Sequence, residues 1–246
     1  MPFKPQTLMT TRQGGVSLAP FNSLNLGDHV GDAPESVAAN RKILEEQIGV
    51  RPVFMKQVHG MQCLQIDANT PDGLEADACV TTDPSVACVM MVADCLPVLF
   101  WNESGTAVGA AHAGWRGFVG GVLQATLDKL RGLSVAGEPI HAWLGACIGF
   151  DSFEVGTEVA MHFDSAFKRD RGGGKWLVDL AGAARHQLLT LGVKQVSGND
   201  GKPSWSTVAN SADYFSHRGD VRRLGSTGRM AACIWKNFGT IGEINE

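Results

Sequence analysis

The chain has 246 residues and carries 21 Lys and Arg against 25 Asp and Glu, a formal charge of −4. With no Lys/Arg-rich run, that balance excludes a nucleic-acid backbone as the main partner. No apolar run approaches the roughly 18 residues of a membrane span, and 44% hydrophobic with 19% charged residues is ordinary for a globular chain.

Residues 1–11 lack the uninterrupted apolar core of a signal peptide, so a cytoplasmic protein is expected. The six cysteines, at 63, 79, 88, 95, 147 and 233, form no CxxC and are read as thiols. No linker interrupts the chain, so a single domain over residues 1–246 is expected, and no feature specifies an oligomeric state.

Residues 10–31, rich in Gly, Ser and Asn, read as loops around short strands. Asp32-Ala33-Pro34-Glu35 signals a helix start, with Asp32 as cap, and the helix runs to about Ile48 before Gly49. Its inward stripe of Val37, Leu44 and Ile48 also carries Asn40 and Arg41. A guanidinium there requires an anion or several carbonyls. Residues 52–60 read as a strand whose alternation puts Val53, Met55, Gln57 and His59 on one face, so that Gln57 and His59 point into one site. Residues 62–67 read as its return strand after a Gly60-Met61 turn, and 76–81 as another strand.

The next stretch is the most informative. Val86–Val92 and residues 96–101 are short β-rich runs, and residues 106–111 form a third. Asp94 and Cys95 sit where the first run gives way to the second. His112 follows the third, ahead of Ala113-Gly114-Trp115-Arg116-Gly117, where small residues let the backbone turn closely. Residues 118–130 carry Val119, Val122, Leu123, Leu127 and Leu130 at helical spacing. A lone Cys or His after an apolar strand is ordinarily a packing residue. Their coincidence with His59 is what raises a functional reading.

Beyond Gly132 the pattern predicts a strand at 140–148, a helix at 153–167, a charged turn at 168–175, a helix at 179–191 closed by Gly192, and a strand at 193–197. A polar loop at 199–213 leads into 214–229, which holds His217, Arg218, Arg222, Arg223 and Arg229. This arginine concentration suits phosphate, or a solvated surface. Met230–Trp235 reads as a final buried strand, and the irregular alternation predicts a mixed sheet.

His59, Cys95 and His112 offer two imidazoles and a thiolate. Zinc held by three protein ligands keeps a fourth position for water or substrate, although the wide gaps here match no compact metal motif. The segments Arg12-x-Gly14-Gly15-Val16-Ser17, Ser23-Leu24-Asn25-Leu26-Gly27, Gln57-Val58-His59-Gly60, Ala93-Asp94-Cys95-Leu96-Pro97-Val98-Leu99, Ala111-His112-Ala113-Gly114-Trp115-Arg116-Gly117 and Thr227-Gly228-Arg229-Met230-Ala231 point further. Together they make the chain similar, over nearly its whole length, to the bacterial purine nucleoside phosphorylase family of the laccase-domain, or polyphenol-oxidase-like, type. The resemblance implies an α+β fold, a four-layer αββα sandwich with mixed β-sheets. It implies zinc on His59, Cys95 and His112, and phosphorolysis of adenosine, inosine and S-methyl-5′-thioadenosine with inorganic phosphate. It also implies hydrolytic deamination of adenosine.

In this reading Cys95, His112 and Asp94 are the catalytic candidates, Asp94 being the carboxylate nearest to the ligands. Arg41 and Arg116, with Arg229 behind them, are the cations expected to hold phosphate, and Gln57 faces the substrate. The chain departs from the family pattern at Ala146, Ser206, His217 and in the longer link at 219–226. Three other readings compete. One is a copper phenol oxidase, with Met55, Met90 and Met91 near in sequence. Another is a metal-free hydrolase using Cys95 as nucleophile and His112 as base. The last is a purine- or metal-binding module without turnover.

Overall fold

The computed structural model describes residues 5–236; residues 1–4, on which part of the signal-peptide reading falls, lie outside them. Two mixed sheets form the body. The first has the order β1 (Gln6–Met9), β13 (Met230–Trp235), β5 (Val86–Val92), β2 (Arg51–Phe54), parallel only at the β2–β5 pair. The second runs β12 (Gln195–Gly198), β8 (Ile140–Leu144), β6 (Leu96–Asn102), β7 (Val108–Ala113), β4 (Ala78–Thr81), β3 (Cys63–Gln65). A small antiparallel sheet of β10 (Lys168–Gly172), β11 (Lys175–Val178) and β9 (Glu154–Gly156) stands apart.

The two-residue period of the strands sorts most side chains into three large cores, with a small fourth cluster of Val92, Ala93, Phe215 and Met230. On β5, Val86, Cys88 and Met90 face the second sheet, meeting Cys79, Leu99 and Val108. The alternate residues Ala87, Val89 and Met91 face outward against Leu44 and Ile48 of α1 (Pro34–Ile48). The far face of the second sheet, with Val98 and Phe100, packs on α3 (Val122–Gly132) and α5 (Leu180–Thr190) through Leu123, Leu127, Leu180 and Leu188. Helix, sheet, sheet and helices therefore stack as the expected αββα sandwich. Each fully buried leucine such as Leu127 contributes about 1.5–3 kcal/mol.

Several local expectations give way to tertiary context. Residues 62–67 are no return strand: β2 ends at Phe54, the chain leaves the first sheet, and β3 pairs in parallel with β4 in the second. The helix start is right but its cap is Ala33. The Asp32 carboxylate instead accepts hydrogen bonds from Ser17 Oγ (2.6 Å) and Asn25 Nδ2 (2.9 Å), tying down a loop that contains no strands. The helix expected at 118–130 starts earlier and breaks at Gly121 (φ 103°), giving α2 (Trp115–Gly120) and α3. Residues 153–167 form only β9, the one-turn α4 (Thr157–Ala160) and a 3-10 turn, because residues 154–156 pair with β11. The charged stretch 168–175 is the β10–β11 hairpin, turned by Gly172, Gly173 and Gly174, all at positive φ.

Candidate metal centre

His59 lies in the connection that carries the chain from β2 to β3, Cys95 where β5 passes into β6, and His112 inside β7 rather than after it. Sequence order separates them; the folded sheets bring them together. One donor atom from each lies within 4.8 Å of the others, and Cys95 Sγ is 3.7 Å from His59 Nε2. Tetrahedral zinc, with a bond of about 2.3 Å to sulfur and about 2.0–2.1 Å to nitrogen, places these atoms about 3.6 Å apart. The donor set and its spacing fit such an ion. Gly114 is required beside it: a Cβ there would stand 2.8 Å from His59 Cδ2 and 3.0 Å from Cys95 Sγ.

The residue that organises the ligands is Asp77, which was not singled out from the sequence. Its side chain is fully buried. Oδ2 accepts from the backbone N–H of Val58 (3.0 Å) and Gly60 (2.7 Å), while Oδ1 accepts from the N–H of His59 (2.9 Å) and from His112 Nδ1 (2.8 Å). The three N–H bonds hold His59 at φ 61°, a left-handed conformation rare for a residue with a side chain. The bond to His112 fixes the proton on Nδ1 and leaves Nε2 free to ligate. The one signal available in sequence was a carboxylate inside the apolar run at 76–81, which is costly without partners.

Burial opposes ionisation of the Cys95 thiol, but the charge of His112 and hydrogen bonds from His112 and His59 outweigh it and bring the thiol down to about 6. Burial likewise disfavours a charged His112, yet the Cys95 thiolate and the Asp77 carboxylate raise it to about 9. Asp77 itself is pushed up by burial and held below the ordinary carboxylate range by His112, Gly60 and Val58. The two shifts are reciprocal, each group favouring the charged form of the other.

The triad opens into a cavity of about 270 Å³. Its lining includes the apolar side chains of Trp115, Ile148, Phe153 and Leu180 and the guanidinium groups of Arg218 and Arg229, with His29 and His217 beside them. Of the residues singled out from sequence, His59, Cys95, His112, Asp94, Gln57 and Arg229 line this cavity, as do His217 and Arg218 of the arginine-rich stretch and Met91. The Gln57 amide is spent on the backbone, donating to Met91 O (2.8 Å) and accepting from Met91 N (2.7 Å). Asp94, at φ 87°, commits its carboxylate to accepting from Thr207 Oγ1 (2.6 Å), Ser216 Oγ (2.7 Å) and the N–H of Arg218 (2.6 Å).

Arg41 and Arg116 do not line the cavity. Arg41 lies behind the loop at 24–31, bonded to Leu26 O (3.0 Å) and paired with Asp28 (3.1 Å). Arg116 is exposed and stacks over the Trp115 ring at 4.5 Å. His217, one of the departures from the family pattern, sits on the cavity rim at the start of α6 (His217–Leu224).

Residues 6–237 match the family described as multi-copper polyphenol oxidoreductase laccase. The chain belongs to this laccase-type family. Among curated relatives of this laccase-type chain, a purine nucleoside phosphorylase from Pseudomonas aeruginosa is 43% identical, covering 95% of this chain and 94% of its own. A purine nucleoside phosphorylase from Escherichia coli is 43% identical over 92% of this chain and 91% of its own. The crystal structure of a Neisseria meningitidis protein superposes with a TM-score of 0.84 at 41% identity, covering 96% of this chain and 98% of its own. That of YlmD from Geobacillus stearothermophilus gives 0.81 at 31% identity, covering 94% and 92%. Among the described residues of this laccase-type domain no helix is long and apolar enough to cross a membrane, and all six thiols are unpaired.

Proposed function

We propose that the chain is a zinc-dependent purine nucleoside phosphorylase of the cytoplasm, acting on adenosine, inosine and S-methyl-5′-thioadenosine with inorganic phosphate. The observation that carries this reading is the convergence of His59, Cys95 and His112 in one cavity whose lining also offers apolar side chains for a base and two arginines for an anion. The names of the relatives supply the reaction class. In that reaction a phosphate oxygen bonds to C1′ of the ribose, the C1′–N9 bond breaks, and the purine leaves with a proton.

His59, Cys95 and His112 would hold the ion, with Asp77 fixing the backbone of His59 and the ring of His112. When bound, zinc supplies Lewis-acid polarisation within the cavity. Trp115 and Phe153 offer aromatic faces to the purine, and Arg229 offers charge to the phosphate. Deamination of adenosine would need a side chain to protonate the departing ammonia. Asp94, the carboxylate expected to serve, has both oxygens committed to three donors, so phosphorolysis is the principal reaction proposed. Copper phenol oxidation by a multicopper route needs several centres, whereas the described residues contain one group of three donors.

Protein purified without chelator is expected to contain about one zinc per chain and to release base from inosine only when phosphate is present. Chelation and His112→Ala should each abolish release. Full turnover by His112→Ala, or release independent of phosphate, would overturn the reading.

A further inference from the structure

A part-buried guanidinium ordinarily has a carboxylate, as Arg12 has Asp220 and Arg41 has Asp28. Among the described residues three part-buried arginines have none: Arg185, Arg218 and Arg229. Arg185 lies away from the cavity and is occupied by the carbonyls of Val196 and Asn199. The other two line the cavity. Arg218 makes a single bond with its head group, Nη1 to Ser152 O at 3.2 Å. Arg229 uses only Nη1, on Thr227 O (3.3 Å) and Gly228 O (3.0 Å). Most of their N–H donors are therefore uncommitted, in a space that also holds the metal ligands. Burial lowers the basicity of Arg229, while the Cys95 and Asp94 charges raise it, placing its head group within the field of the triad.

We propose that Arg218 and Arg229 together form an oxyanion subsite for a phosphate group, and that Asp94 positions Arg218 by accepting its backbone N–H. The pair replaces Arg41 and Arg116 as the anion-holding cations. Two guanidiniums match the charge and the several acceptor oxygens of a phosphate dianion. The inference extends the phosphorylase reading, but the chemistry is shared by two sources: free inorganic phosphate, or the phosphoryl group of a nucleoside 5′-monophosphate.

The test compares the zinc-loaded parent with Arg218→Gln, Arg218→Lys and, as a control on the same helix, the exposed Arg222→Gln. Binding of inorganic phosphate alone is measured by calorimetry. Turnover is measured against phosphate, inosine and inosine 5′-monophosphate. Loss of one charge-assisted fork predicts about a tenfold to hundredfold weaker phosphate affinity in Arg218→Gln. The KM for inosine should stay within about twofold and Arg218→Lys should fall between. That result supports the subsite with free phosphate as occupant. If the parent instead prefers the monophosphate to inosine and Arg218→Gln removes only that preference, the subsite stands with the nucleotide as occupant. If Arg218→Gln, folded by its thermal transition, matches the parent in both measurements, the subsite is refuted. A parent that binds phosphate but performs no phosphorolysis would defeat the phosphorylase reading and leave the subsite supported.

Discussion

Replacing Asp77 by Asn changes one oxygen to N–H₂ at constant volume, and the four bonds at that side chain allow the outcome to be worked out. If the amide nitrogen takes the Oδ2 place, it faces the N–H groups of Val58 and Gly60. If it takes the Oδ1 place, it faces the N–H of His59 and His112 Nδ1. Either way two charge-assisted bonds become donor–donor contacts. At roughly 1.5–3 kcal/mol each, the loss is about 3–6 kcal/mol of apo-protein stability before relaxation. The alternative is a shift of the His112 proton to Nε2, which relieves the contact but blocks the nitrogen that must bind metal. Zinc affinity should accordingly fall about tenfold to a hundredfold. Competition with a chromophoric chelator measures that affinity, and calorimetric melting of the metal-free protein measures the stability loss. An Asp77→Asn variant that binds zinc within about threefold of the parent and melts at the same temperature would refute the role given to this carboxylate.

Gly114→Ala needs no unusual backbone angle, since φ is −65°, but its methyl would press on His59 and Cys95. It should lose metal while retaining a cooperative melt, read by bound zinc per chain and circular dichroism; normal zinc content would contradict the close approach. In the metal-free protein, Cys95 should react with iodoacetamide with a midpoint near pH 6 rather than near its ordinary 9, as followed by mass spectrometry. The linkage has opposite signs at the two partners. The contribution of the depressed thiol is complete above its unfolded value and is lost as pH falls through about 6. That of the raised imidazole is complete below its unfolded value and is lost as pH rises through about 9. Between pH 6.5 and 9 the two slopes oppose and nearly cancel, so the pair should leave apo-protein stability almost flat across that window, and a melting temperature that changes steeply with pH there because of Cys95 or His112 would contradict it.

Some of this architecture was legible because local and global preferences agree. Val86–Val92 and Met230–Trp235 are apolar runs bounded by turn residues, and both are strands with those limits. The α1 helix ends at Gly49 in the left-handed conformation its sequence suggested. Strand partnership was not legible. Gly60-Met61 looked like a hairpin turn, but the chain there changes sheets, and no local pattern encodes that choice. The three ligands emerged from residue type and motif, their convergence from topology alone. Arg41 shows the limit of periodicity: the helix does turn it inward, yet Leu26 and Asp28 intercept it. Asp77 was visible as a charge in an apolar strand, but its partners lie 17 to 35 residues away.

Two of the three donors ride on segments where the polypeptide steps from one layer to the other, His59 between β2 and β3 and Cys95 between β5 and β6. Any sliding of the layers past each other must alter the distance between imidazole and sulfur. Coordination is thus a gauge of alignment across the whole sandwich, and truncating a filler such as Met90 or Leu99 in the inter-layer seam should register as weaker ion retention, although neither lines the cavity.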